Sequence, residues 1–371
     1  MFNFKLKSFK KFDFVLFITM AILCIYGLVI LKSATLSYGT NSYMKSQIIA
    51  IIIGLLAIAF LVLLDYSFLG KMYLPIYFVC ILLLVAVLLF GFGEDDWGAR
   101  SWLQVGPVSF QPSEFVKIGL VISLAKYIDN NKDKLNEPFT LLKVLAFAGL
   151  PVALILLQPD AGTALVFIFF IAIMLFVAGI KWKYIGMAVL AGLAALPILW
   201  FRLDDYQRDR FFDFLEPERN PTGTGYQALQ GKIAIGSGKI FGRGLFQGSF
   251  TQFEYIPEKQ TDFIFAVLVE ELGFIGGVSL IGLYFILISR LIRLAKNSKD
   301  LFGSLMVIGI AAIFVFHIWE NIGMTIGLMP ITGIPLPFIS HGGTFMLVNM
   351  IGIGICLSVG LRREALTFHE K

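Results

Sequence analysis

Thr261-Asp262-Phe263-Ile264-Phe265 joins a polar stretch, 203–261, to an apolar run that continues to 289. A run of that length is what the hydrocarbon core of a bilayer requires of a spanning helix, and an ionisable carboxylate at its edge is a functional candidate. Outward from this junction the pattern repeats. Apolar runs occur near 13–32, 47–64, 72–92, 141–158, 161–179, 183–201, 302–327 and 342–361, with a shorter, charge-bearing one near 113–129. Composition agrees: 58% hydrophobic and 15% charged residues, with a mean hydropathy of +0.83, are too apolar for a chain whose whole surface must be wetted. The expectation is an all-α integral membrane protein of ten transmembrane helices. Residues 1–371 form a single polytopic domain, with one large external loop, 203–261, between spans 7 and 8.

With ten spans both termini share one side. Lys5, Lys7, Lys10, Lys11, Lys71, Lys126, Lys132, Lys134, Lys181, Lys183, Arg290, Arg293, Lys296, Lys299, Arg362 and Arg363 all fall there, so the positive-inside rule makes that side cytoplasmic. The formal charge of +5 therefore reports topology, and nucleic-acid binding is excluded as its explanation. The first run is longer than a typical signal-peptide core and reads as a retained span. Cys24, Cys80 and Cys356 all fall within spans, where they read as small apolar residues and not as a disulfide framework.

The chemistry-bearing residues gather on the external side. The 203–261 loop mixes acids with bases such as Arg210, Lys232 and Arg243, and its many aromatics argue for packing on the bundle or in the headgroup region. Gly236-Ser237-Gly238-Lys239 is not a phosphate loop, because Ile233 and Ile240 stand where that motif needs Gly and Ser or Thr. A second loop, 93–112, carries Glu94, Asp95, Asp96 and Trp97 and leads into Gln111-Pro112-Ser113-Glu114-Phe115-Val116-Lys117. Glu114 and Lys117 share a helical face, either as an intrahelical ion pair or as the wall of a polar cavity. Asp160, after Gln158-Pro159, reads equally as a helix cap and as a site residue.

In the ninth span His317, Glu320 and Asn321 lie on one face. A metal site needs more ligands than these, and His341 and His369 offer no matching spacing, so a buried polar network is the reading. The stretch 327–343 holds three prolines and four glycines and is expected to be irregular and re-entrant, lining a cavity or buried in protein. Asp262 itself opens the eighth span, where the positive helix end and nearby Lys259 favour its ionised form. It is either an N-terminal cap or a base. Glu270 and Glu271, taken as further along one continuous helix and turned to other faces, read as packing residues.

Gln111-Pro112-Ser113-Glu114, Gly223-Thr224-Gly225-Tyr226-Gln227, Tyr255-Ile256-Pro257-Glu258, Thr261-Asp262-Phe263-Ile264-Phe265, Glu270-Glu271-Leu272-Gly273, Asn321-Ile322-Gly323-Met324 and Gly333-Ile334-Pro335-Leu336-Pro337 occur in order along the chain. Together they resemble the SEDS family (shape, elongation, division and sporulation). Lys232-Ile233-Ala234-Ile235-Gly236-Ser237-Gly238 is more similar to the RodA-like elongation branch than to the division branch. The resemblance implies a ten-span peptidoglycan glycosyltransferase of the bacterial cytoplasmic membrane that polymerises lipid II on the external face. It also implies a class B penicillin-binding protein as partner, Asp262 as the essential residue, Glu114 and Lys117 as polar cavity positions, and Asp160 as the acidic residue after Gln-Pro. His341, Thr344 and the pair Lys45-Ser46 depart from the family pattern; Lys45 remains among the candidate substrate contacts.

One carboxylate suffices for such a reaction. A glycosidase needs paired carboxylates because its leaving group is a poor alkoxide, whereas a polyprenyl pyrophosphate departs as a stable anion when cations neutralise it. Asp262 then acts as general base on the acceptor 4-hydroxyl, inverting an α-linked donor to a β-1,4 bond. Lys117, Lys45, Arg210, Lys232 and Arg243 are the candidate cations, with a divalent Mg or Mn ion as a candidate cofactor. A flippase of the same lipid is the rival from another class, and a membrane scaffold is a third reading.

Overall fold

The computed structural model describes residues 11–93, 99–106, 108–202, 205–220 and 223–363. Lys5, Lys7, Lys10, Glu94, Asp95, Asp96, Trp97 and His369 lie outside them. The helices, in chain order, are α1 (Phe14–Ala34), α2 (Ser42–Leu63), α3 (Tyr66–Lys71), α4 (Tyr73–Phe90), α5 (Pro112–Asn130), α6 (Pro138–Leu156), α7 (Ala161–Val177), α8 (Trp182–Arg202), α9 (Asp205–Leu215), α10 (Thr224–Gly238), α11 (Ser249–Gln252), α12 (Ile264–Lys296), α13 (Leu301–Thr325) and α14 (Gly343–Leu361). Seven of them, α1, α2, α4, α6, α12, α13 and α14, are long and apolar enough to cross a membrane. Shorter apolar stretches cover α7 and Trp182–Ala194 of α8. The all-helical expectation needs one correction: Leu103–Val105 and Val108–Phe110 pair as a small antiparallel hairpin, turned through Gly106 at φ 62°, where a β-branched residue would be strained.

The bundle is apolar outside as well as inside. Leu56, Phe78, Leu82 and Phe285 are among the large apolar side chains left exposed on the long helices, the surface of a multi-pass membrane protein. At one end Asp13 accepts a bidentate bond from Arg290, Nε to Oδ1 at 3.2 Å and Nη2 to Oδ2 at 2.7 Å, Tyr66 donates to Asp300, and Lys11 donates to the carbonyl of Arg363 at 2.6 Å. The described chain thus enters and leaves the bundle at the same end.

The eighth span is not one continuous helix. Gly273 adopts φ 70°, ψ −168° and breaks α12 after Leu272. A break leaves backbone groups unpaired, which is tolerated at membrane depth only where protein re-pairs them. Here the segment after α10 does so: Phe274 and Ile275 amides donate to the Lys239 and Ile240 carbonyls, while Arg243 and Gly244 amides donate to those of Glu270 and Glu271. Gly242 and Gly273 make the approach possible, since a Cβ on either would stand within 2.4 Å of the other segment's backbone. Glu270 and Glu271 are fully buried and serve this junction. Glu270 accepts from the Phe250 and Thr251 amides, and Glu271 from Ser33 Oγ and the Phe246 amide.

Residues 326–342 form no helix, as the proline and glycine content predicts, and they run deep. Tyr284 Oη donates to the Pro337 carbonyl at 2.6 Å. Phe338 packs on Phe314, and the Phe338 carbonyl sits where a Cβ on Gly27 would stand. Leu336, Phe338, Ile339 and Ser340 are wholly buried.

Candidate functional site

Asp262 lies in the turn that enters α12. It does not cap the helix: the capping position is Phe263, without a side-chain hydrogen bond. Its backbone is what is held. Asn321 Nδ2 donates to the Asp262 carbonyl at 2.9 Å and to the Ile334 carbonyl at 2.8 Å. Ser340 Oγ donates to the Thr261 carbonyl at 2.6 Å, and the His341 amide to that of Gln260 at 2.9 Å. Gln47 closes the far side, donating to the Ser340 carbonyl and accepting from the Gly342 amide. Among the described residues no donor engages the Asp262 carboxylate, whose Oδ2 stands 3.5 Å from where a Cβ on Gly333 would be.

This partly buried carboxylate is destabilised as an anion. Desolvation pushes it up to about 7, the Glu258 carboxylate adds to the rise, and the Arg210 guanidinium opposes it. The expectation that Lys259 favours the ionised form is therefore corrected. Lys259 turns away, buried beneath Tyr38, and donates to Ser37 Oγ and the Thr251 carbonyl.

The candidate cations fall into separate settings. Arg210 and Lys232 line one narrow cleft with Asp213, Met324, Gly327 and Met329, and the Lys232 side chain lies directly over Gly327. Arg243 is taken up by Ser237 Oγ (3.1 Å) and Ser249 Oγ (3.2 Å) at the helix break. Lys45 is exposed on the first turn of α2. Lys117 is buried and donates to Glu114 Oε1 at 2.8 Å, which makes the intrahelical ion pair real. The pair is more than that, because Lys117 also meets His317 Nε2 at 3.0 Å. Asp160 is a cap, accepting from the Thr163 amide at 3.0 Å, and it also receives Ser101 Oγ at 3.0 Å.

His317, Glu320 and Asn321 form the expected polar network and have a shared task. His317 Nδ1 bonds the Pro335 carbonyl, Glu320 accepts from Thr332 Oγ1, and Asn321 bonds the Ile334 carbonyl. One face of α13 thus holds the irregular segment against the Asp262 turn. Among the described residues no group of three or more His, Cys, Asp or Glu is placed to hold a metal ion. Glu258 and Gly333 stand in motifs of the sequence but are given no site role by it. Glu258 belongs to the turn itself, with positive φ and its carbonyl accepting from the Thr261 and Phe263 amides, and no sequence pattern marks that conformation.

Comparison with known proteins fits this geometry. The profile of the "Cell cycle protein" family of FtsW, RodA and SpoVE matches residues 11–364. The peptidoglycan glycosyltransferase MrdB of Escherichia coli K12 is 42% identical over 294 residues, 79% of this chain and 78% of that protein. Stage V sporulation protein E of Bacillus subtilis is 36% identical over 359 residues, 94% of this chain and 96% of its own. Among solved structures, a chain described under "Structural coordination of polymerization and crosslinking by a peptidoglycan synthase complex" superposes with a TM-score of 0.82 at 32% identity, covering 95% of this chain and 98% of that one. The rod shape determining protein RodA of Thermus thermophilus gives 0.72 at 30% identity, covering 95% and 98%. A profile match across all but the chain's extremities, and a relative aligned over 94% of the chain at 36% identity, establish that this protein belongs to the FtsW/RodA/SpoVE family.

Proposed function

We propose that this chain is a peptidoglycan polymerase that joins lipid II disaccharides into β-1,4 glycan for cell elongation and shape, with Asp262 as its catalytic base. The observation that carries the reading is Asp262 itself, a carboxylate fixed by its backbone, free of hydrogen-bond donors among the described residues, and held near neutrality. A base works best when its pKa lies near the working pH. The carboxylate takes the proton of the acceptor 4-hydroxyl as that oxygen attacks the donor's anomeric carbon. The C–O bond to the pyrophosphate breaks, configuration inverts, and the polyprenyl pyrophosphate leaves as an anion. Arg210 and Lys232, which share a cleft, are the cations best placed to receive it; Lys117 acts from its buried pair with Glu114, and Asp160, which caps α7, is a further substrate contact. Lys45 and Arg243 serve as outlying contacts for substrate phosphate.

Among the described residues Mg or Mn has no protein-only cage. An ion held chiefly by the substrate's own phosphates would add positive charge against the leaving pyrophosphate. The further reading is a single polytopic domain in which α5, α7 and α8 complete ten crossings. The 203–261 loop and Asp262 then face outward and both termini lie in the cytoplasm, as the lysine and arginine bias supports. Its partner is a class B penicillin-binding protein, in line with the peptidoglycan synthase complex above.

Purified chain given lipid II should release glycan strands; lipid II translocation in liposomes without glycan would replace this reading with the flippase. The pH profile gives a second test. A base that loses its proton near pH 7 is active above that pH and silent below, so the rate should rise through about pH 7. Arg210 lowers and Glu258 raises the Asp262 pKa. The ascending limb should therefore move to higher pH in Arg210→Gln and to lower pH in Glu258→Gln, and shifts of the opposite sign would refute the assignment.

A further inference from the structure

We infer that His317 is a positioning residue for the polymerisation reaction: it locks the buried Lys117 and the Pro335 backbone to one another, and so couples α5 to the segment that packs against Asp262. The inference rests on the reading of Asp262 as base. Its ground is hydrogen-bond chemistry at a side chain only 2% exposed. A carbonyl oxygen can only accept, so the bond of 3.0 Å to the Pro335 carbonyl makes Nδ1 the protonated nitrogen. Nε2 at 3.0 Å from Lys117 Nζ then accepts from the ammonium, since a second N–H there would face a cation. His317 is thereby a neutral imidazole of defined tautomer, joining a cation on one helix to a backbone carbonyl of the irregular segment.

What lies at either end makes this more than core packing. On one side Lys117 divides its donors between Glu114 Oε1 and His317, and its ammonium stands 5.6 Å from the centre of the Phe345 ring. The position of the cation is set by three elements at once: α5, α13 and the start of α14. On the other side Pro335 follows Ile334, whose carbonyl shares Asn321 Nδ2 with the carbonyl of Asp262. Gly333, one residue earlier, stands against the Asp262 carboxylate. Glu258 and Arg210 are the charged groups that act on that carboxylate, and neither belongs to this chain of contacts. Freeing Pro335 should loosen the Gly333 side of the Asp262 pocket and admit water without removing either charge.

The test compares His317→Met with His317→Gln in full-length protein. Methionine fills the space but can hold neither partner, whereas a glutamine amide presents a carbonyl to Lys117 and an N–H to Pro335. His317→Met should slow lipid II polymerisation at least about tenfold and move the ascending limb of the pH profile at least about half a unit lower, because desolvation is what raises the Asp262 pKa. His317→Gln should restore the rate to within about threefold of wild type and leave the limb in place. Thermal unfolding of each variant normalises the rates to folded protein. A methionine variant with an unmoved limb, or glutamine behaving like methionine, overturns the inference. A wild-type profile lacking the limb near pH 7 would instead count against Asp262 as base, and the rate contrast between the two variants would still decide the role of His317.

Discussion

Asp262→Asn should cut lipid II polymerisation by purified protein by about 10²- to 10⁴-fold, the range a positioned general base contributes, while the protein unfolds at the same temperature or a higher one. The two halves of this expectation have one cause. Asparagine keeps the shape, and no hydrogen-bond donor is stranded, because those that fix this turn act on backbone carbonyls: Asn321 on Asp262, Ser340 on Thr261 and the His341 amide on Gln260. What disappears is a charge that the fold disfavours. The carboxyl rises from 3.8 to about 7, so at pH 8 the ionised side chain opposes folding, and that opposition fades as pH falls through 7 and the group protonates. A residue whose removal spares or raises stability while abolishing turnover is held against the interest of the fold, the usual signature of a working site. Polymerisation by folded Asp262→Asn protein within tenfold of wild type would remove Asp262 from the mechanism. A scaffold role predicts full complementation by the same variant.

Much of this was legible in the sequence because it depends on local order. Apolar runs of bilayer length, the prolines and glycines of 327–343 and the spacing of Glu114 from Lys117 are short-range patterns: seven of the runs are helices long enough to cross a membrane, 326–342 forms no helix, and Glu114 pairs with Lys117. The pairing of His317, Glu320 and Asn321 on one face of α13 was equally visible, though not what the face holds. Contacts between distant segments were beyond reach. Nothing near His317 announces Lys117 at 200 positions' separation, and nothing near Asp262 announces that Lys259 turns toward Ser37. A glycine within a helix costs only about 1 kcal/mol and seldom ends one, so the apolar run after Asp262 carries no local sign of a break. The break depends on Gly242, a partner supplied from 31 residues upstream.

That break gives the second large expectation. Gly273→Ala should destabilise the folded protein severely, lowering the unfolding temperature and the yield of monodisperse protein, whereas Gly282→Ala in the same helix, where a Cβ meets nothing within 4 Å, should change neither. At Gly273 the backbone sits at φ 70°, ψ −168°, a conformation open to glycine and costly for any other residue. The added methyl would also stand 2.3 Å from the Gly242 amide nitrogen and 2.4 Å from the Ile240 carbonyl oxygen. Backbone cannot step aside as a flexible side chain can. Relief requires the two segments to part, which unpairs the Phe274 and Ile275 amides and the Glu270 and Glu271 carbonyls, each costing several kcal/mol if left in hydrocarbon. The damage should reach Asp262 by a traceable route. Glu270 bonds the Thr251 amide and hydroxyl, the Thr251 carbonyl holds Lys259, and Lys259 stands two residues before the Thr261-Asp262 turn. Gly242→Ala attacks the same contact from the other side, with a Cβ 2.1 Å from the Glu271 carbonyl oxygen, and should reproduce both the loss of stability and the loss of polymerisation. If either variant unfolds at the wild-type temperature, the close approach of these two segments does not hold α12 broken, and the base at its entrance owes its position to Asn321, Ser340 and the His341 amide.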